Sequence, residues 1–362
     1  MNRIQAKKQL YKLYGIDSCT GLCIAGASWV ALLAARGFTT VEIGFAESIF
    51  HIASMVFEIP SGVLSDVFGR KKTMILSCLM SAIAAILMIF SRSFVDIAMV
   101  MVISALSYNL ASGTREAIAY DSLKEAGIEG EYESFASNDM VIYEITSALG
   151  TLLAGVVLLL GYRRAYAIDV VVASSALGIA TSLRDVKTEV HEIDSIAKRF
   201  HMVAHDSVRF LRENRKARWM MVFNSVVGAV STLMLFFLQA KLPAIGMKTL
   251  LLGPALFAMG LGSAIGAKVV TRFSGARYRY LALFAAAGTI LECAAIVFGS
   301  MVPLLIGGFV GAFCDSFLQV RTDVELNSMV PSNQRATLMS INSFTFSVVM
   351  MVLSPIFGLL FA

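Results

Sequence analysis

Seven stretches of 18 to 27 residues carry no Asp, Glu, Lys or Arg: 18–35, 73–91, 97–114, 145–162, 219–240, 249–267 and 336–362. A formal charge at the centre of a bilayer costs about 2.5–3.5 kcal/mol on insertion scales, and about 20 apolar residues cross the hydrocarbon. Runs of this length therefore commit the chain to helices in lipid. A further run, 293–314, holds Gly299 to Pro303 at its middle and reads as one helix ending and another beginning. Shorter or charge-interrupted spans are expected at 40–61, 170–183 and 280–298. The sum is eleven spans, centred near residues 24, 51, 82, 106, 148, 174, 229, 258, 289, 313 and 347.

Composition agrees: 57% of the 362 residues are hydrophobic and 15% charged, with a mean hydropathy of +0.75. Such values exclude an ordinary soluble domain and a disordered chain. Loops on one side carry 21 Lys and Arg and loops on the other carry 6, with Arg115, Lys268 and Arg321 inside spans. That bias predicts a cytoplasmic amino terminus. The net charge of +5 is then topological, and no nucleic-acid surface is expected. Cys19, Cys23, Cys78, Cys293 and Cys314 all fall in predicted spans and read as small buried hydrophobes. No cleavable leader is expected, because the first apolar run is too long. With eleven spans the carboxyl end would emerge on the far side, in an apolar stretch. The expectation is a chain lacking a final span.

The one long polar stretch divides the chain. Expected are an amino-terminal bundle over 1–183, a cytoplasmic linker over 184–218 and a carboxy-terminal bundle over 219–362. Val190, Ile193, Ala197, Phe200, Val203 and Leu211 recur at helical spacing, so the linker is expected to form an amphipathic surface helix. His201 and His205 within it read as part of a solvated face, and no metal or cofactor is expected. A faint repeat at an offset near 203 relates Gly62 to Gly266, Ser137 to Ser340 and Gly155 to Gly358.

After the second span runs Gly62-Val-Leu-Ser-Asp66-Val-Phe-Gly69-Arg70-Lys71-Lys72. It resembles the signature cytoplasmic loop of the major facilitator superfamily, G-x-L-x-D-x-x-G-R-K. Gly62 would allow close helix packing, Gly69 a tight turn, and Asp66 could accept from Arg70 or sit at a helix amino terminus. Arg70, Lys71 and Lys72 would hold the loop inside. Glu58-Ile-Pro60 before the loop, Tyr120-Asp121 at the end of span four and Pro331-Ser-Asn-Gln-Arg335 before span eleven fit the same resemblance. Its second copy, from Gly266 to Arg277, has Val270 in place of the aspartate. The resemblance implies an all-α membrane protein of two pseudo-symmetric six-helix bundles, the second short by one helix. It further implies a secondary transporter of a small molecule working by alternating access, with spans one, four, seven and ten around a central cavity.

Ionisable residues inside spans are costly and mark function or a specific partner. Glu47, His51 and Glu58 are spaced by four and seven, one narrow helical stripe. Imidazole titrates near neutrality, so the stripe reads either as a proton relay or as a static network fixing span two. Asn109, Ser112, Glu116 and Tyr120 fall on one face of span four, and Arg115 is expected to pair with an acid such as Glu144. By the resemblance, Glu116, Asp315 and Gln319 face the cargo; Asp17, Asn224 and Asn342 are weaker candidates. Glu292 and Asp169 are expected in structural pairs.

The expectation for function is a proton-coupled secondary transporter, exporting a small amphiphile as a monomer. The alternatives are a proton-coupled importer of a small metabolite and a truncated, non-transporting membrane protein. An enzyme is not expected: the chain has no Gly-x-Ser-x-Gly, His-Glu-x-x-His or Gly-x-x-x-x-Gly-Lys, and no soluble domain to house such a site.

Overall fold

A computed structural model describes residues 1–185, 212, 214–273, 275–329 and 335–362. The linker positions from Val190 to Leu211, His201, His205 and the Pro331–Gln334 segment lie outside the described residues. Fifteen α-helices follow one another among those described: α1 (Arg3–Gly21), α2 (Ile24–Ala27), α3 (Trp29–Ala35), α4 (Thr40–Phe68), α5 (Arg70–Phe90), α6 (Phe94–Ala111), α7 (Thr114–Glu125), α8 (Tyr132–Leu152), α9 (Ala154–Leu160), α10 (Tyr162–Thr181), α11 (Arg215–Ala244), α12 (Leu252–Val269), α13 (Tyr278–Phe298), α14 (Met301–Ser328) and α15 (Arg335–Leu360). No strand occurs among them. Among the described residues nine helical segments are long and apolar enough to cross a membrane, ten with the α8–α9 pair, which bends by 50°. The remaining span, expected over 18–35, is broken: α1 ends at Gly21, and α2 and α3 follow as short pieces.

Most boundaries follow from local chemistry. Gly69 sits at φ 89° between α4 and α5, a backbone conformation that disfavours any side chain. Ser93 and Asp96 form a reciprocal cap at the start of α6. Gly299, at φ 62°, separates α13 from α14 inside the long uncharged run. Gly113, at φ 73°, interrupts span four between α6 and α7. The single continuous face expected for Asn109, Ser112, Glu116 and Tyr120 is therefore cut at its middle.

The chain forms two compact units: Met1–Leu32 with Ala53–Arg199, and Leu33–Ile52 with Phe200–Ala362. In the first, Leu13, Ile16, Met74, Ile118, Leu123 and Phe135 make a core closed by Ala176 and Ala180 of α10. Asp169 of α10 closes the break in span one. Its carboxylate accepts from the Ala25 and Gly26 amides at 3.2 and 2.9 Å, satisfying the amino-terminal N–H groups of α2. Asp169→Ala is expected to lower stability by about 0.5–2 kcal/mol, the range for a lost helix cap, measured by unfolding in detergent.

In the second unit the helices approach closely wherever glycine removes a side chain. Gly262 and Gly266 of α12, four residues apart, lie against the Phe309 and Phe313 carbonyls of α14. Gly44 of α4 meets the Ser354 carbonyl, and Gly358 of α15 meets Thr40. These contacts tie the first half of α4 to α15, so this helix serves the second unit up to Ile52 and the first from Ala53. Large apolar side chains remain exposed, among them Val297, Phe298, Leu159 and Leu359. In a chain of such spans their solvent is the hydrocarbon of the bilayer.

Candidate functional site

In the first unit, polar side chains gather around Arg115, in the first turn of α7. The αL turn at Gly113 redirects the backbone just before it. Its guanidinium pairs with Asp17 of α1, with Asp139 of α8 through Nε at 3.1 Å, and with the neighbouring Glu116 at 3.2 Å. The Asp17 side chain is fully buried and that of Asp139 is 7% exposed, whereas Glu116 is 43% exposed. One cation thus binds three carboxylates drawn from three helices. Asp139, and not the exposed Glu144, is the acid that α8 contributes. The uncharged run of span five starts at residue 145, while α8 begins at Tyr132. Hydropathy missed this amino-terminal extension, and with it Asp139.

Asn109 donates through Nδ2 to Ser54 Oγ and to the Ala105 carbonyl, both at 2.9 Å. It locks α6 onto the second half of α4. Thr114 donates to Ser65 at 3.2 Å just beyond the break. Glu58 is half-buried on the same unit's part of α4 and lies near the phenol of Tyr108.

In the second unit, Glu47 Oε1 stands 3.3 Å from His51 Nε2 one turn along α4. His51 Nδ1 meets Ser347 Oγ of α15 at 3.3 Å, and the ring packs edge-on against Phe50 and Phe346. Glu47 and His51 are 8% and 7% exposed. An acid, an imidazole and a hydroxyl in series can hold a proton or pass it along the row. Glu58, third member of the stripe, belongs to the other unit. Asp315 reaches the side of α11 at Gly228, and Gln319, one turn on, is exposed.

The loop motif divides into parts with different fates. Arg70 donates to the Ala117 carbonyl at 2.8 Å and pairs with Asp121, joining α5 to α7. Lys71 is half-buried and Lys72 exposed. Gly62 is exposed, and a Cβ there would meet nothing within 4 Å, so the expected close packing is absent within the described residues. The side chain of Asp66 lies outside those described.

Glu292 of α13 departs from its expected pairing. It is fully buried, and neither carboxyl oxygen has a hydrogen-bond partner among the described residues. Its surroundings are Gly307 and Gly311 of α14. A missing partner is a property of packing, and no sequence pattern announces it.

Comparison with known proteins agrees with this architecture. The family model of the Major Facilitator Superfamily matches residues 18–355. A curated relative, an uncharacterized MFS-type transporter, YxaM of Bacillus subtilis (strain 168), is 30% identical over 105 residues; that match spans 28% of this chain and 26% of the relative. Among solved structures, a variant of the nucleoside transporter NupG aligns with a TM-score of 0.73 at 16% identity, covering 96% of this chain and 90% of its own. A bacterial homologue of the human lysosomal transporter Spinster gives 0.70 at 13%, covering 98% and 82%. A D-xylose–proton symporter gives 0.67 at 14%, covering 98% and 90%. At these identities the structures speak for the fold alone. The family match, over nearly the whole length, decides the affiliation: this chain belongs to the Major Facilitator Superfamily.

Proposed function

We propose that the chain is a secondary active transporter that moves a small molecule by alternating access at the expense of a proton gradient. Glu47 and His51 form the proton-bearing pair. Glu116, Asp315 and Gln319 face the cargo, and Glu58, Asn109 and Arg115 support the first unit's share of the pathway. In chain order the halves are 1–183 and 219–362, joined by the linker 184–218. The protein works as a monomer in a bacterial cytoplasmic membrane with its amino terminus inside, and it exports a small amphiphile.

One observation carries this reading: the buried row of Glu47, His51 and Ser347. An isolated carboxylate in a membrane span is expensive, and an imidazole one turn away is a partner able to share its proton. Arg70 on Asp121 supports the motif as a cytoplasmic clasp, since the pair bridges the ends of two helices.

Proteoliposomes with an imposed pH gradient test the proposal. The wild type is expected to drive a cargo found in a counterflow panel against its gradient. Glu47→Gln and His51→Asn are expected to lose that driven movement while keeping counterflow, which needs no net proton transfer. Driven transport unchanged in both variants at every pH would overturn the coupling. Opposite dependence on the sign of the gradient separates export from the import of a small metabolite.

A further inference from the structure

We infer that the second unit holds a site for a small monovalent cation, built from the side-chain oxygens of Asn224 on α11, Asp315 on α14 and Asn342 on α15. The register of these helices places the three oxygens at neighbouring levels. Ala217, Met220 and Met221 at the start of α11 pack with Leu338 and Ile341 at the start of α15, and with Leu326 near the end of α14. Towards the other end, Phe237 stacks on Phe361 with ring centroids 5.6 Å apart. So α11 and α15 run side by side in one direction and α14 runs against them. Midway, Gly228 leaves a gap into which Asp315 and Phe346 both reach. Asp315 Oδ1 lies 3.1 Å, and the Phe346 ring 3.5 Å, from where a Cβ on Gly228 would stand. Asn224 is one turn before Gly228, and Asn342 is one turn before Phe346, next to Ile341 of the apolar layer. The amides therefore occupy the slab between that layer and the Asp315–Phe346 contact.

The chemistry of the slab is one-sided. The Oδ1 atoms of Asn224 and Asn342 are both buried and accept no hydrogen bond among the described residues, and Asn224 is 8% exposed. Among the described residues the ion pairs of this unit join His51 to Glu47, and Lys216 and Arg321 to Glu325; none reaches Asp315. Two buried amide oxygens that no donor reaches among the described residues thus lie on helices beside the Asp315 carboxylate, a costly arrangement unless a donor or cation arrives. Oxygen ligands without nitrogen or sulfur suit a hard ion. Of the three ligands only Asp315 carries a charge, which matches a monovalent ion. A sodium-sized ion and the primary ammonium group of a cargo share this chemistry. The second source rests on the placement of Asp315 towards cargo proposed above; the first does not.

The test is thermal unfolding of the purified full chain in detergent, at fixed pH and ionic strength. Choline chloride, whose cation is too large for three converging oxygens, is replaced stepwise by sodium, potassium or methylammonium chloride. A saturable rise in Tm with sodium but not choline, lost in Asp315→Asn and weakened in Asn342→Ala, identifies an inorganic-ion site. A rise with methylammonium alone, with the same losses, identifies the cargo's ammonium. If Asp315→Asn does not fold, Asn224→Ala and Asn342→Ala carry the comparison. Identical Tm in all four salts, or a salt effect that survives the substitutions, overturns the proposal; in that case the amides are turned to donate to Asp315. No transport is measured, so the result is independent of whether Glu47 and His51 couple protons.

Discussion

Arg115→Met should destabilise the first unit by about 3 kcal/mol, the lower part of the 3–5 kcal/mol measured when one partner of a buried ion pair is removed. The lower part applies because the Arg115 side chain keeps 28% of its surface exposed, while Asp17 beside it has none. The loss is large because of what remains. Asp17 and Asp139 would stay as carboxylates inside a helical core, with no other cation paired to them among the described residues. The contrast is with Arg3 and Glu131, 2.7 Å apart but 64% and 33% exposed, whose separation should leave stability close to wild type. Denaturant or thermal unfolding in detergent gives both values. Lysine at 115 should recover only part of the loss, since a point charge cannot reach three carboxylates as a planar fork does. Adding Asp17→Asn and Asp139→Asn to Arg115→Met should restore most of it, because neutral amides no longer need the cation. A single Arg115→Met variant within 1 kcal/mol of wild type would show that the three acids do not depend on it.

Arg115 also illustrates what can be read before folding. Its charge in a span marks it from the sequence alone, yet its partners lie on α1 and α8, and only packing brings them near. Spans of unbroken apolar residues are legible because lipid penalises each charge separately, so the signal adds along the run. Gly299 is legible for a related reason: together with Pro303 it breaks a run too long for one helix. The pairing of Glu47 and His51 follows from helical spacing, but Ser347, which extends their row, comes from a helix nearly 300 residues away. The break of span one at Gly21 is paired with a remote carboxylate, Asp169, that spares the exposed amides. Hydropathy sees the apolar run and passes over the break. The division of α4 between two units is hidden in the same way, because its cause is the fit of Gly44 and Gly358 against backbone carbonyls.

Glu292 is the feature least expected from sequence, and Gly311→Ala tests how tightly it is held. A methyl on Gly311 would fall on the carboxyl carbon and both oxygens of Glu292. That side chain is fully buried, and a Cβ on Gly307 beside it would stand 3.5 Å from the Glu292 Cα. The acid must therefore swing aside within an enclosed space between α13 and α14. Overpacking of this kind costs about 1–3 kcal/mol, and the enclosure argues for the upper end. Alanine regains about 1 kcal/mol of helix propensity over glycine, so the single variant should fall about 2 kcal/mol below wild type. The double-mutant cycle is decisive. In a Glu292→Ala background the methyl fills vacated space, and Gly311→Ala should become neutral or stabilising, a coupling of about 2–3 kcal/mol. Glu292→Gln keeps the volume and removes only the charge, so it should leave the Gly311→Ala penalty in place. Relief by glutamine as complete as by alanine would mean that charge, not shape, sets the spacing of the two helices.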